Sequence, residues 1–208
     1  MNIQEINKQL RSSTPREIIE WGIKNAKKPV VTTNFRPYEV NILHACVSVE
    51  KDIPVIWCDT GYNTSYTYKH GEKLIKDLGI NIFLYTPQET AKYRDPSSVI
   101  PDVDSPLHKE FTEQVKLEPF RRAMKEHQPD VWFTNLRKGQ TALRDSLDIV
   151  SMGNDGVLKI APFYYWTDEE LDVYLEKYEL ENEFRYFDPT KVLENRECGL
   201  HIVADPQK

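Results

Sequence analysis

Pro29-Val30-Val31-Thr32-Thr33 leads into Asn34-Phe35-Arg36 and then into Pro37. The first five residues form a short β-branched run with the composition of a buried strand. Beyond Pro37, the residues Val40, Leu43, His44 and Val47 keep helical spacing, so a helix is predicted from Pro37 onward. Upstream, Thr14-Pro15-Arg16-Glu17 has a capping threonine, a proline suited to the first helical position and a glutamate at the capping-box position. It predicts a helix to about Lys27, with Ile18, Ile19 and Ile23 on one face. Helix, strand, loop and helix in this order set a pattern that the rest of the chain repeats.

Ile53 to Cys58 is a second strand-like run, bounded by Asp59-Thr60-Gly61. Ser65 to Leu78 reads as a helix closed by Gly79. Ile80 to Tyr85 reads as a strand ended at Pro87, and residues 88–105 read as a proline-punctuated loop. A helix is predicted over Leu107 to His127, with strands at Val131–Thr134 and Val157–Ile160. Thr167-Asp168-Glu169-Glu170 opens a capped helix to about Tyr178. This alternation predicts an α/β fold with a mostly parallel, twisted sheet and helices on both faces. In such sheets ligands bind beyond the carboxyl ends of the strands. The loops that matter are therefore Thr32–Arg36, Asp59–Tyr62, the stretch from Thr86, and Asn135–Arg144.

Composition narrows the classes of function. The formal net charge is −6, which argues against a general nucleic-acid binder. No apolar run approaches the roughly 20 residues that span a bilayer. The N-terminal MNIQEINKQLRSS has no apolar stretch of signal-peptide type, so a cytoplasmic protein is expected. Three cysteines without close pairing argue against a disulfide framework and fit a reducing compartment. There is no HExxH pattern and no CxxC pair, so no metal site is expected.

Local positive charge marks the candidate loops. Thr32, Thr33, Asn34, Phe35 and Arg36 lie between a strand and a helix N-terminus, where backbone N–H groups and the helix dipole favour an anion. Arg36 adds a donor pair suited to phosphate or sulfate. The alternative reading of this loop is an ordinary connection with a surface arginine. Asp59, Thr60, Gly61 and Tyr62 offer a carboxylate, hydroxyls and close backbone approach suited to a ribose or an adenine edge; the same composition also makes an ordinary turn. Asn135-Leu136-Arg137-Lys138-Gly139-Gln140 with Arg144 supplies three cations after a strand end. Cys46 reads as core, and Cys58 as the packed end of a strand. Cys198, in Asn195-Arg196-Glu197-Cys198-Gly199-Leu200-His201, lies in a polar segment. It is either an exposed thiol beside a turn or a nucleophile whose thiolate Arg196 and His201 favour and Glu197 opposes.

Together, Asp59-Thr60-Gly61-Tyr62 with Thr67-Tyr68, Leu136-Arg137-Lys138-Gly139-Gln140, Lys159-Ile160-Ala161-Pro162 with Trp166-Thr167, and Glu197-Cys198-Gly199-Leu200-His201 resemble the sulfonucleotide reductases. The likeness is to the phosphoadenosine phosphosulfate (PAPS) reductase family, in order, from about residue 30 to 201. It implies an adenine nucleotide α-hydrolase-like fold with a modified pyrophosphatase-type loop at Thr32–Arg36, where Arg36 stands in place of the usual glycine. The implied organisation is an N-terminal helical segment (1–28), a nucleotide-binding α/β domain (29–180) and a mobile C-terminal catalytic tail (181–208).

The implied chemistry has Cys198 attack the sulfur of the nucleotide-bound sulfate and form an enzyme S-sulfonate. A thioredoxin or glutaredoxin thiol then releases sulfite. Catalytic residues would be Cys198, Glu197 and His201. The polyanionic sulfonucleotide would meet Thr32, Thr33, Asn34, Phe35, Arg36, Asp59, Thr60, Gly61, Tyr62, Arg137, Lys138, Gln140, Arg144, Lys159 and Arg196. Relatives that use adenosine phosphosulfate (APS) carry a Cys-Cys and a Cys-x-x-Cys pair for an iron–sulfur cluster. Phe111-Thr112 stands at the first of these positions and no second pair exists, so the resemblance is to the cluster-free type, with no bound cofactor and a preference for PAPS. A homodimer is expected, with no nucleic-acid or membrane partner. The competing readings are cluster-free APS reduction, an ATP pyrophosphatase or adenylyltransferase, a tRNA sulfur-transfer enzyme, and a non-enzymatic redox or metal-binding module built on Cys198 and His201.

Overall fold

A computed structural model of the chain describes residues 2–97, 99–153 and 155–191. Arg196, Glu197, Cys198 and His201, expected above as site residues, lie outside the described residues. The elements run α1 (Ile3–Leu10), α2 (Pro15–Asn25), β1 (Pro29–Thr33), α3 (Glu39–Val49), β2 (Val55–Cys58), α4 (Ser65–Leu78), β3 (Ile82–Tyr85), α5 (Ala91–Arg94), α6 (Pro106–Thr112), a π-helical segment (Glu113–Leu117), α7 (Glu118–His127), β4 (Val131–Phe133), α8 (Ala142–Asp145), β5 (Val150–Met152), β6 (Leu158–Ile160) and α9 (Asp168–Lys177).

The six strands form one sheet in the order β3-β2-β1-β4-β6-β5. All neighbours are parallel except β5, which pairs antiparallel with β6 at the edge. The chain leaves β1 toward β2 on one side and returns to β4 on the other. The switch point of the sheet therefore lies between the carboxyl ends of β1 and β4, and a ligand crevice belongs there. Helices cover both faces. Val31, Val55, Phe133 and Ile160 bury on one face with Ile19, Leu43 and Leu171, whereas Val30, Ile56 and Trp132 bury on the other with Ala123 of α7. The alternation of neighbours such as Val30 and Val31 between the two faces is the period of two that a strand imposes.

Both predicted capping boxes form, at Thr14 with Glu17 and at Thr167 with Glu170. Gly79 ends α4 with φ +60°, a conformation that suits glycine because no Cβ meets the backbone. Three expectations are corrected. First, α3 begins at Glu39 and not at Pro37, because Tyr38 takes a left-handed conformation (φ 65°) and turns the chain into the helix. Second, the helix expected over Leu107–His127 is interrupted by the π-helical segment Glu113–Leu117. Third, the edge strand β5 and the short α5 and α8 were not anticipated. Backbone groups of Val150 on the β5 edge exchange two hydrogen bonds of 2.8 Å with the Asn7 side chain of α1, so this helix covers part of the sheet edge.

Candidate active site

The loop after β1 is built around Glu39. Its buried carboxylate accepts from the Thr33 hydroxyl at 2.7 Å, from the Asn34 N–H at 2.7 Å and from Arg36 Nε at 3.0 Å. The Phe35 N–H donates to Thr33 Oγ1, the Arg36 N–H to Asn34 Oδ1, and the Tyr38 N–H to Asn182 Oδ1. Pro37 has no N–H to offer. The chain's own acceptors thus take the N–H groups of Asn34, Phe35, Arg36 and Tyr38, and Glu39 supplies negative charge at the helix start, which the dipole favours. Phe35 and Tyr38 both have positive φ, at 53° and 65°. Such backbone costs non-glycine residues roughly 1–2 kcal/mol each, and the Glu39 network together with burial of the Phe35 ring holds it. That ring is 1% exposed and meets Trp57 edge-on at 4.9 Å, so its side chain belongs to the core.

Arg36 reaches across the switch point. Its Nη2 donates to the Asn135 carbonyl at 2.8 Å, linking the β1 loop to the β4 loop. Here the two loops enclose a pocket lined by Thr32, Thr33, Asn34, Arg36, Thr134, Asn135 and Arg144, with Lys116, Phe120, Trp132 and Lys191. The Trp132 indole N–H donates to Thr32 Oγ1 at 2.9 Å and fixes one wall. Two oxygens in this pocket, Thr134 Oγ1 and Asn135 Oδ1, are buried and have no hydrogen-bond partner among the described residues. Buried polar atoms are rarely left so, which marks the pocket as a place where further polar groups are accommodated. Four cationic side chains line it against one carboxylate, Glu39.

The other predicted residues sit around this pocket. Gln140 accepts from the Arg137 N–H and from Arg144 Nη1, so it ties the two arginines of the β4 loop together. Arg144 is 3% exposed and enters the pocket. The Arg137 guanidinium turns away from it, 2.6 Å from Asp168 and stacked over the Tyr38 ring. Lys138 lies over Tyr165. Lys159 packs its ammonium over Trp132 at 5.1 Å from within the sheet; burial lowers its pKa, partly offset by Asp155. Arg137, Lys138, Gln140 and Lys159 do not line the pocket.

The β2 loop is likewise internally satisfied. Asp59 accepts from the Gly61 N–H, from Asn63 Nδ2 and from the Tyr68 hydroxyl, all at 2.8–3.0 Å. Burial first, and then the Asp59 charge, push the Tyr68 phenol up to about 12. The Tyr62 N–H donates to Thr60 Oγ1, and the Tyr62 ring packs against Phe111. Gly61, at φ +79°, makes the turn. The structure thus gives Asp59, Thr60, Gly61 and Tyr62 a turn-building role and does not bring them into the switch-point pocket.

Cys46 is fully buried in the core, where burial raises its pKa. Cys58 lines the pocket, but burial pushes its thiol up to about 12, so it is protonated and a poor nucleophile near neutral pH. Among the described residues, no group of three or more His, Cys, Asp or Glu stands where it would hold a metal ion. No described helix is long and apolar enough to cross a membrane.

Sequence reasoning missed Glu39, Lys116, Trp132 and Lys191. Lys116 is 6% exposed, and its ammonium sits 2.5 Å from Asp188 Oδ2 and 3.2 Å from Thr190 Oγ1. It lies in the π-helical segment, an irregularity frequent at functional sites. A lysine placed among apolar neighbours, in Val115-Lys116-Leu117, was the available signal for it.

The sheet order and the pocket at its switch point define an adenine nucleotide α-hydrolase-like α/β protein. A PAPS reductase from Candida auris, solved as a phosphate complex, superposes with a TM-score of 0.76 at 23% identity, covering 86% of this chain and 87% of that one. The NH3-dependent NAD synthetase of Campylobacter jejuni shares the fold with a TM-score of 0.52 at 11% identity, over 88% of this chain and 76% of that one. In sequence, a model of the phosphoadenosine phosphosulfate reductase domain matches residues 28–186. The phosphoadenosine 5'-phosphosulfate reductase of Aliivibrio salmonicida is 33% identical over 181 residues, covering 85% of this chain and 70% of that protein. That of Vibrio cholerae is 31% identical over 182 residues, covering 86% and 72%. The chain belongs to the phosphoadenosine phosphosulfate reductase family, whose members are sulfonucleotide reductases.

Proposed function

We propose that this protein reduces 3'-phosphoadenylyl sulfate to sulfite and adenosine 3',5'-bisphosphate through an S-sulfonate on Cys198, with a thioredoxin- or glutaredoxin-class dithiol as electron donor. The observation that carries the reading is the switch-point pocket of a family member, lined by Arg36, Lys116, Arg144 and Lys191 and by the buried Thr134 hydroxyl, which can donate to an anion. Cations at such a site neutralise a polyanionic nucleotide and the charge that develops on its leaving phosphosulfate oxygen. Thr32, Thr33 and Asn34 border the same volume. Gln140 holds Arg144, and Lys159 packs on Trp132, so these two act on residues that line it.

The steps balance without a bound cofactor. The Cys198 thiolate forms an Sγ–S bond as the S–O bond to the phosphate breaks, and adenosine bisphosphate leaves with that electron pair. A donor thiolate then attacks Cys198 Sγ and expels sulfite; the donor's second thiol resolves the mixed disulfide and returns Cys198 to the reduced state. Lys191 lines the pocket, and Cys198 follows it by seven residues, a stretch of at most roughly 25 Å when extended. Chain length therefore permits the thiol to meet a sulfonucleotide bound there.

The sequence has only Cys46, Cys58 and Cys198, which lack the paired spacing of cluster ligands; this favours PAPS over APS. The working unit is proposed to be a cytoplasmic homodimer. The test is sulfite release from PAPS with reduced thioredoxin. Cys198→Ser is expected to abolish release while adenosine 3',5'-bisphosphate still binds; sulfite release by that variant at the wild-type rate overturns the mechanism. Pyrophosphate release from ATP in the same preparation would instead support an adenylyltransferase or sulfur-transfer enzyme.

A further inference from the structure

Between the pocket and the last described residues lies a small polar cluster of which the reaction as written uses only Lys116. Lys116 Nζ meets Asp188 Oδ2 at 2.5 Å and Thr190 Oγ1 at 3.2 Å. Asp188 Oδ1 accepts from the Thr190 N–H at 3.0 Å and from its hydroxyl at 2.6 Å. His108 Nε2, on α6, stands 3.3 Å from the Pro189 carbonyl. The side chains of Lys116 and Asp188 are both 8% exposed. A buried ion pair of this kind is weak evidence for stability in itself, because desolvation offsets most of the attraction. Its value lies in fixing one geometry, and here it joins two particular places. Lys116 lines the switch-point pocket, and the 188–190 turn comes immediately before Lys191, which lines it too.

We propose that Lys116 and Asp188 form a positioning pair, a staple that fixes the start of the Cys198-bearing segment relative to the bound nucleotide. Asp188 does not line the pocket, so it acts through Lys116 and the 188–190 turn and not on the substrate. This rests on the sulfonucleotide reductase reading above. The consequence is a separation of steps: disturbing the pair on the Asp188 side slows sulfur transfer to Cys198 more than it weakens nucleotide binding, since small misplacements of a nucleophile cost large factors in rate.

The experiment measures, in the full chain, the single-turnover rate of S-sulfonate formation on Cys198 at saturating PAPS, alongside the affinity for adenosine 3',5'-bisphosphate. Asp188→Asn keeps the shape and removes the charge. It is expected to slow sulfonate formation by roughly ten- to a hundredfold while affinity changes by less than about threefold. Asp188→Glu is expected to recover part of the rate. Thr190→Val, which leaves the ion pair and removes the hydroxyl, is expected to show a smaller loss in the same step and serves if the Asn variant does not fold. Wild-type sulfonation rates in both Asp188→Asn and Thr190→Val overturn the proposal, as does a loss confined to nucleotide affinity. Absence of any sulfonate on wild-type Cys198 instead overturns the parent reading.

Discussion

Glu39 shows how much one buried carboxylate can organise. It receives a hydroxyl, a backbone N–H and a guanidinium from the loop that precedes it, and it is 6% exposed. Removing it takes the acceptor from the buried Thr33 hydroxyl and from the part-buried Asn34 N–H, and losing the acceptor of a buried donor costs more than the bond itself contributes. Glu39→Ala is expected to lower stability by about 3 kcal/mol, and Glu39→Gln by about half of that, in urea titrations. A change below about 0.5 kcal/mol in the Ala variant would show that the network carries little. The residue was not visible in sequence as a site residue, because an acid in the first turn of a helix is commonplace. Arg36 was visible as a cation, but its pairing with Glu39 was not, since that depends on Tyr38 turning the chain through a left-handed conformation. Cys58 could be assigned to a strand end from sequence; that burial keeps its thiol protonated follows only from its neighbours.

At the scale of elements, ends were easier to read than interruptions. The limits of α4, Ser65–Leu78, follow from Thr64 and Gly79, which act locally through a cap and a positive φ. The π-helical segment was invisible, because the apolar spacing of Phe111, Val115 and Ala123 also suits an unbroken helix. Gly22 in α2 illustrates a packing demand. A Cβ there would lie 2.6–2.8 Å from Phe133 and Ile160 side-chain atoms. Gly22→Ala gains helix propensity, about 1 kcal/mol, but overpacks the helix against the sheet by about 1–3 kcal/mol. A lower melting temperature is expected; a higher one would mean that the sheet yields easily.

The 188–190 turn makes a pH prediction at this same scale. Burial raises the Asp188 carboxyl's pKa, but the Lys116 charge and hydrogen bonds from Lys116 and Thr190 outweigh it and hold the group below the usual carboxylate range. A carboxyl depressed on folding contributes stability above its unfolded value, about pH 4, and loses it as pH falls through the folded pKa. The stability gap between wild type and Asp188→Asn should therefore be open at neutral pH and close as pH falls below about 4. A gap that stays constant across that range would contradict the pairing.

For the whole molecule, the α/β class and the largely parallel sheet were legible from alternating runs, because each strand and helix declares itself by local periodicity. The strand order was not, since it is set by which faces meet across long sequence separations. That order is what puts the switch point between β1 and β4, and it explains why Arg36 and Arg144 share a pocket while Asp59 and Lys159 stand outside it. In the proposed function this pocket presents a sulfonucleotide to Cys198. Its most direct test is intact-protein and peptide mass spectrometry after mixing the reduced full chain with PAPS, with APS or with ATP, without any thiol donor. One sulfonate group is expected at Cys198 with PAPS, discharged as sulfite when reduced thioredoxin follows, and no adduct with ATP. An unmodified Cys198 after incubation with both sulfonucleotides would contradict it.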